Sequence, residues 1–308
     1  MAETYRSFTF FLCGLLACFQ SVSQPLANLS SFPAISEPIG LVANTPFQSP
    51  PPKPLLNRGI YYTSPWISGG IFMGGAISNS FGFSRLQNRP ELNQNELNQI
   101  STDKIWRIDR KALSIDLSQR ERSRRSSDQF LNFSILSPVV LFLDRKIRSD
   151  WATILLIYAE TQMINSNLYT WGPYGPTWVK RFRPAVYYED LAIEDRINGG
   201  NRNSFFSGHV SSTATGTFFT AKVLADHHPE WGAKRWLLYG LAGIPPTIVA
   251  IQRVRALRHF PTDTIIGGLT GVLVGIGIPE LHRRWKNKVS LSAVWQEDAK
   301  GLALLWTF

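Results

Sequence analysis

Cysteine is scarce: the 308 residues contain two, Cys13 and Cys18. Both fall in an N-terminal apolar stretch, so a chain cut after Ser23 carries none and a disulfide framework is excluded. Acidic residues are short as well, 22 against 32 Lys and Arg, for a net charge of +10. No nucleic-acid-binding motif accompanies that excess, so it points to anionic substrates and a membrane surface, and nucleic acid is not expected as a partner. The polar stretch from 85 to 128 offers no glycine-rich nucleotide loop and no cluster at metal-ligand spacing. Long uninterrupted apolar runs are few. Several apolar segments fall below the roughly 20 residues of a membrane helix and contain Asn, Gln or Lys, which leaves a soluble helix bundle open beside a membrane one.

What the sequence does contain is a concentration of reactive residue types around residues 253 to 263. There Arg253, His259 and Asp263 stand at the mouth of the apolar run 264–279. Pro261 suits the first turn of a helix, and the four-residue spacing predicts that Asp263 accepts the Nδ1 proton of His259. Nε2 would then be left free as a nucleophile or base. Arg253 would supply a planar fork for a tetrahedral oxyanion. The plain alternative is a helix cap at Asp263 within a basic cluster. Upstream, Ser207, Gly208 and His209 open another helix of small residues, where a hydroxyl and close backbone N–H groups suit an anion. Further upstream Lys180, Arg181 and Arg183 precede Pro184.

These three segments, in this order, resemble the signature of the type 2 phosphatidic acid phosphatase and vanadium haloperoxidase superfamily. The third motif of that family is matched by Arg253, His259 and Asp263, with Gln252 where a serine usually stands. The second is matched by Ser207, Gly208 and His209, with Phe206 in place of proline. The first is matched by Arg183 and Pro184. Its lysine position is Pro176 here, and Lys180 or Arg181 is the expected replacement. The wording around both histidines is similar to the exported bacterial branch of the family.

The resemblance implies an all-α, up-and-down bundle of five to six helices and a metal-independent phosphatase that requires no cofactor. His259, oriented by Asp263, would attack phosphorus to give a phosphohistidine, and His209 would protonate the leaving alcohol and then activate water. Arg183, Arg253, Ser207, Gly208 and Lys180 would bind the phosphate, which is expected on a lipid or a small ester. Two other readings stay open: a vanadium-dependent haloperoxidase using the same cradle, and a non-catalytic envelope protein.

Taken in order, residues 1–23 read as an export signal, with Leu15 to Cys18 also resembling a lipobox. Residues 24–58 read as a linker, 59–127 as an N-terminal helical region, 128–285 as the catalytic domain and 286–308 as a β-hairpin. Apolar segments are expected at 61–83, 130–143, 151–169, 210–225, 236–251 and 264–279, which gathers the motifs at one end of the bundle. Asp109 and Asp116 read as surface or capping residues, and Glu189, Asp190, Glu194 and Asp195 as a solvated loop. The expected location is the cell envelope, with a periplasm-facing site at the inner membrane or an outer-membrane lipoprotein anchor.

Overall fold

The computed structural model describes residues 59–285 and two further strands. The expected export signal and lipobox, and nearly all of the expected linker, lie outside the described residues. The longer helices are α1 (Pro65–Gln87), α2 (Arg120–Ile135), α3 (Trp151–Trp171), α4 (Gly208–His227), α5 (Arg235–Ala242), α6 (Ile244–Arg255) and α7 (Pro261–Arg284). The architecture is helical. Strands β1 (Val289–Gln296) and β2 (Ala299–Trp306) pair antiparallel, with Val289 opposite Trp306.

Two helical boundaries differ from expectation. The segment 130–143 is not one helix, because α2 begins ten residues earlier, inside the arginine cluster, and gives way to a 3-10 turn at Ser137–Leu143 that carries Pro138 near its start. Proline lacks the N–H that an α-helix interior needs, so the helix ends before it. The segment 236–251 is split into α5 and α6 around Gly243, with Pro245 and Pro246 in the first turn of α6.

The pair α4 and α7 forms the centre. On α7, glycine recurs every four residues at Gly267, Gly271 and Gly275, which share one helix face. A Cβ at these positions would collide with the carbonyl oxygens of Ser207, Ser211 and Thr215 respectively. Only glycine lets the two backbones approach so closely, a packing mode typical of helices in lipid. The same ladder sets the N-terminus of α4 beside the N-terminus of α7, where Ser207 N–H donates to the Asp263 carbonyl at 3.0 Å.

The interior is unusually polar and the exterior unusually apolar. Thr161, Asn165, Ser211, Thr213, Thr215 and Lys222 are buried between helices, whereas Phe133, Leu143, Trp236, Leu237 and Leu273 are 66 to 84% exposed. Pro229–Arg255 and Pro261–Arg284 are long and apolar enough to cross a membrane. A water-soluble bundle would bury those large side chains, since each is worth about 1.5–3 kcal/mol when removed from water, and would not line its interior with hydroxyls.

Candidate active site

His259 lies in the short turn between α6 and α7. The turn is tight because Leu257, fully buried, takes a left-handed backbone with φ of 56°. That conformation is costly for a branched residue, on the order of 1–2 kcal/mol, and it carries the chain round so that His259 points inward. Its Nδ1 lies 2.6 Å from the carbonyl oxygen of Ser204. A carbonyl can only accept, so Nδ1 carries the proton and Nε2 keeps its lone pair. Burial, and then the charges of Arg253 and Arg183, hold the imidazole well below its ordinary value, which keeps it neutral.

The orienting group therefore differs from the one expected from the spacing. Asp263 Oδ2 stands 4.0 Å from His259 Nδ1, too far for a hydrogen bond. Its carboxylate instead accepts from Ser204 Oγ at 2.6 Å and from the Phe260 N–H at 2.8 Å, and pairs with Arg181. The reason is local: Asp263 is the third residue of α7, and a carboxylate there folds back to cap the free N–H before the helix. Asp263 thus fixes Ser204, and the carbonyl of Ser204 fixes His259.

Two more expectations are corrected. Arg181 does not stand in for the missing motif lysine; it is spent between the buried carboxylates of Asp109 and Asp263, at 2.6 Å from the former, with Phe260 4.5 Å beneath its guanidinium. Lys180 is exposed and makes no hydrogen bond or ion pair among the described residues. Alternate side chains of extended backbone face opposite ways, so with Arg181 and Arg183 turned inward Lys180 faces out. Asp109, expected as a surface or capping residue, is fully buried and accepts from Thr262 N–H at 2.9 Å, which caps the start of α7. Asp116 does cap a turn, accepting from Ser118 N–H, and Glu189, Asp190, Glu194 and Asp195 are exposed.

His209 sits in the first turn of α4, and its Nε2 lies 3.1 Å from Asp128 Oδ1. The same oxygen is 3.3 Å from Arg253, which also donates to Ser127 Oγ at 3.3 Å. Burial pushes the Asp128 carboxyl up, but the His209 hydrogen bond and the charges of His209, Arg253 and Arg124 outweigh it, and it is held below its ordinary value. Asp128 escaped sequence reading because it stands at the end of a polar, arginine-rich run that carries no motif. Ser204 acts through a main-chain carbonyl, which leaves no trace in residue type.

Arg183 reaches the same place from the other side. Its N–H donates to Asn201 O at 2.8 Å, and its Nε lies 3.4 Å from Asn203 O. Burial depresses its pKa, with Tyr169 and Asp263 partly countering. Within the cluster, the Nε of Arg253 and the Oγ of Ser207 are buried and bond to nothing among the described residues. Unpaired buried donors are expensive, roughly 1–3 kcal/mol each. Gly208 packs against Tyr169, whose ring would lie 3.1 Å from any Cβ added there.

Residues 150–287 match the PAP2 superfamily. The matched range holds Arg183, Ser207, Gly208, His209, Arg253, His259 and Asp263, while Asp128 precedes it. The chain is 26% identical over 163 residues to phosphatidylglycerophosphatase B of Bacillus subtilis (strain 168), covering 50% of this chain and 73% of that protein. Among solved structures, that of a transmembrane PAP2 type phosphatidylglycerolphosphate phosphatase from Bacillus subtilis is 18% identical. It covers 72% of this chain and 98% of that one, with a TM-score of 0.40.

Proposed function

We propose that the chain hydrolyses a phosphate ester carried by a lipid, through a phosphohistidine formed on His259. The observation that carries this reading is the His259 imidazole, its Nδ1 fixed on the Ser204 carbonyl at 2.6 Å, beside the buried Arg253 Nε and Ser207 Oγ, which have no partner among the described residues. A neutral imidazole with a directed lone pair next to unused anion donors is suited to attack on phosphorus.

In the first step His259 Nε2 bonds to phosphorus, the bond from phosphorus to the leaving oxygen breaks, and His209 gives that oxygen a proton. In the second, His209 takes a proton from water, the hydroxide bonds to phosphorus, and the bond from phosphorus to Nε2 breaks to release inorganic phosphate. Arg183, Arg253, Ser207 and the Gly208 N–H hold the equatorial oxygens, where negative charge concentrates. Burial and then the charge of Arg253 push His209 down to about 4, and Asp128 works against them by favouring the protonated form that the first step needs.

A lipid substrate accords with the name of the 26% identical relative and with the apolar exterior of the bundle. We assign the site to the outer side of the inner membrane, as an export signal at the N-terminus would allow. A cysteine introduced at exposed Asp190, in a chain otherwise free of thiols, is expected to react with a membrane-impermeant maleimide on spheroplasts. Labelling only after lysis would put the site inside. For the chemistry, a labelled lipid phosphomonoester should leave an acid-labile, base-stable phosphoenzyme that is absent from His259→Ala. Orthovanadate should inhibit and EDTA should not; activity lost to chelation and restored by a divalent ion would overturn this mechanism.

A further inference from the structure

One cation near the site has no role in the scheme above. Arg89 follows the end of α1, in a segment strapped across the loop that leads into α4. Leu92 N–H donates to Ile197 O at 2.7 Å, Arg202 donates to Pro90 O at 2.9 Å and to Glu91 O at 3.0 Å, and Arg202 pairs with Glu96 at 2.6 Å. The main chain of Arg89 is pressed against Gly199, where any Cβ would collide with its carbonyl oxygen. The next residue, Gly200, lies 4.0 Å, measured from an added Cβ, from the guanidinium of Arg183. Arg89 is therefore fixed to the same short loop that flanks Arg183.

Its side chain is aimed with equal care. One terminal nitrogen donates to the carbonyl of Arg202 at 3.2 Å, and the other donates to the carbonyl of Pro176. Pro176 is the residue that stands at the vacant lysine position of the first motif. Two carbonyls orient a guanidinium without neutralising it, and no carboxylate pairs with Arg89 among the described residues. Its charge is felt, together with those of Arg183 and Arg253, at Tyr169, the ring that packs on Gly208. By contrast Arg181, the nearer candidate in sequence, has its charge met by Asp109 and Asp263.

Resting on the phosphatase reading above, we infer that Arg89 is a substrate-binding residue whose guanidinium supplies, from the end of α1, the positive charge that position 176 lacks. Its remaining N–H donors would face the phosphate oxygens alongside Arg183. The part of the chain before the matched domain then completes the site, and does not merely pack on it.

The test uses the full-length protein in detergent, with p-nitrophenyl phosphate as substrate and orthovanadate as anion probe. Arg89→Gln keeps donors for the two carbonyls and loses the charge; Arg89→Lys keeps the charge and loses the fork. If charge is what matters, Arg89→Gln raises KM and the vanadate inhibition constant by about tenfold or more, while Arg89→Lys stays within about threefold of the parent. Placing Pro176→Lys in the Arg89→Gln chain should recover part of the loss. Vanadate inhibition unchanged in Arg89→Gln, or a loss in Arg89→Lys that equals it and tracks melting temperature, would overturn the inference. His259→Ala, measured in parallel, separates the two levels. Turnover surviving in that variant sinks the phosphatase mechanism itself, whereas a dead His259→Ala beside a normal Arg89→Gln sinks only the role of Arg89.

Discussion

The two ends of the α4–α7 pair carry polar clusters of opposite character. Near the C-terminal ends, Lys222 pairs with Asp226 and, at 2.8 Å, with Glu280. Glu280 also meets Arg283 and Arg284, Tyr61 donates to Asp226 at 2.9 Å, and His282 bridges Glu160 and the Tyr62 carbonyl. Every charge there has an opposite. At the N-terminal ends, the charges of Arg183 and Arg253 bear on both histidines and on Arg258, with Asp128 as the carboxylate paired with Arg253. Burial first, then the charges of Arg183, Arg253, Arg120 and Arg124, lower the pKa of Arg258 to about 9. A balanced buried cluster fastens helices; an unbalanced one stores affinity for an anion at the expense of stability.

The largest effect should come from the unbalanced end. His259→Ala is expected to reduce phosphatase turnover by roughly a thousandfold or more, with a modest fall in melting temperature because the buried Ser204 carbonyl loses its bond from the ring. Activity within about tenfold of the parent would sink its role as nucleophile.

At the balanced end the signs reverse. Lys222→Met removes the buried cation between Asp226 and Glu280, leaves them to the more exposed Arg283, and should destabilise the bundle by about 3 kcal/mol, read as a lower melting temperature in detergent. The activity of the molecules that remain folded should stay near the parent level. A fall in specific activity at unchanged melting temperature would mean that the two ends are not independent.

Asp128→Asn tests the carboxylate beside His209. It should lower turnover of an alkyl phosphate by about ten- to a hundredfold and that of p-nitrophenyl phosphate much less, because a good leaving group needs little protonation. Equal losses on both substrates would show that Asp128 acts on Arg253 and not on proton transfer.

The smallest effect is one of pH. Because burial and two arginines hold His259 below its unfolded value of about 6.5, the unfolded chain binds the proton more readily. The stability this contributes is complete above that value and is lost as pH falls below it. His259→Ala should therefore lose less melting temperature than the parent between about pH 7 and pH 5. Parallel losses would place the acid sensitivity in other groups.

Much of this was legible without coordinates. Arg183, Ser207 with Gly208 and His209, and Arg253 with His259 were singled out from residue type, spacing and the family resemblance, because anion binding and nucleophilic attack tolerate few side chains, and helix starts and prolines announce themselves locally. The glycines at 267, 271 and 275 were visible as letters but not as a ladder, since their meaning depends on which carbonyls stand opposite. The lysine position was seen to be vacant, and the neighbouring cations 180 and 181 were expected to fill it; the alternation of an extended strand turned one outward and two buried acids captured the other.

The sequence by itself determined the candidate residues of the proposed site and most of the helical segments that carry them, because both are written in local pattern: period, caps and the short list of groups able to do the chemistry. Only the tertiary structure decided who orients whom. Ser204 and not Asp263 bonds to His259, Asp128 bonds to His209, and Arg89, from the segment after α1, bonds to the carbonyl of position 176. Each of these depends on a carbonyl or a charge from a distant stretch arriving within about 3 Å, and no residue-to-residue spacing along a chain encodes that meeting.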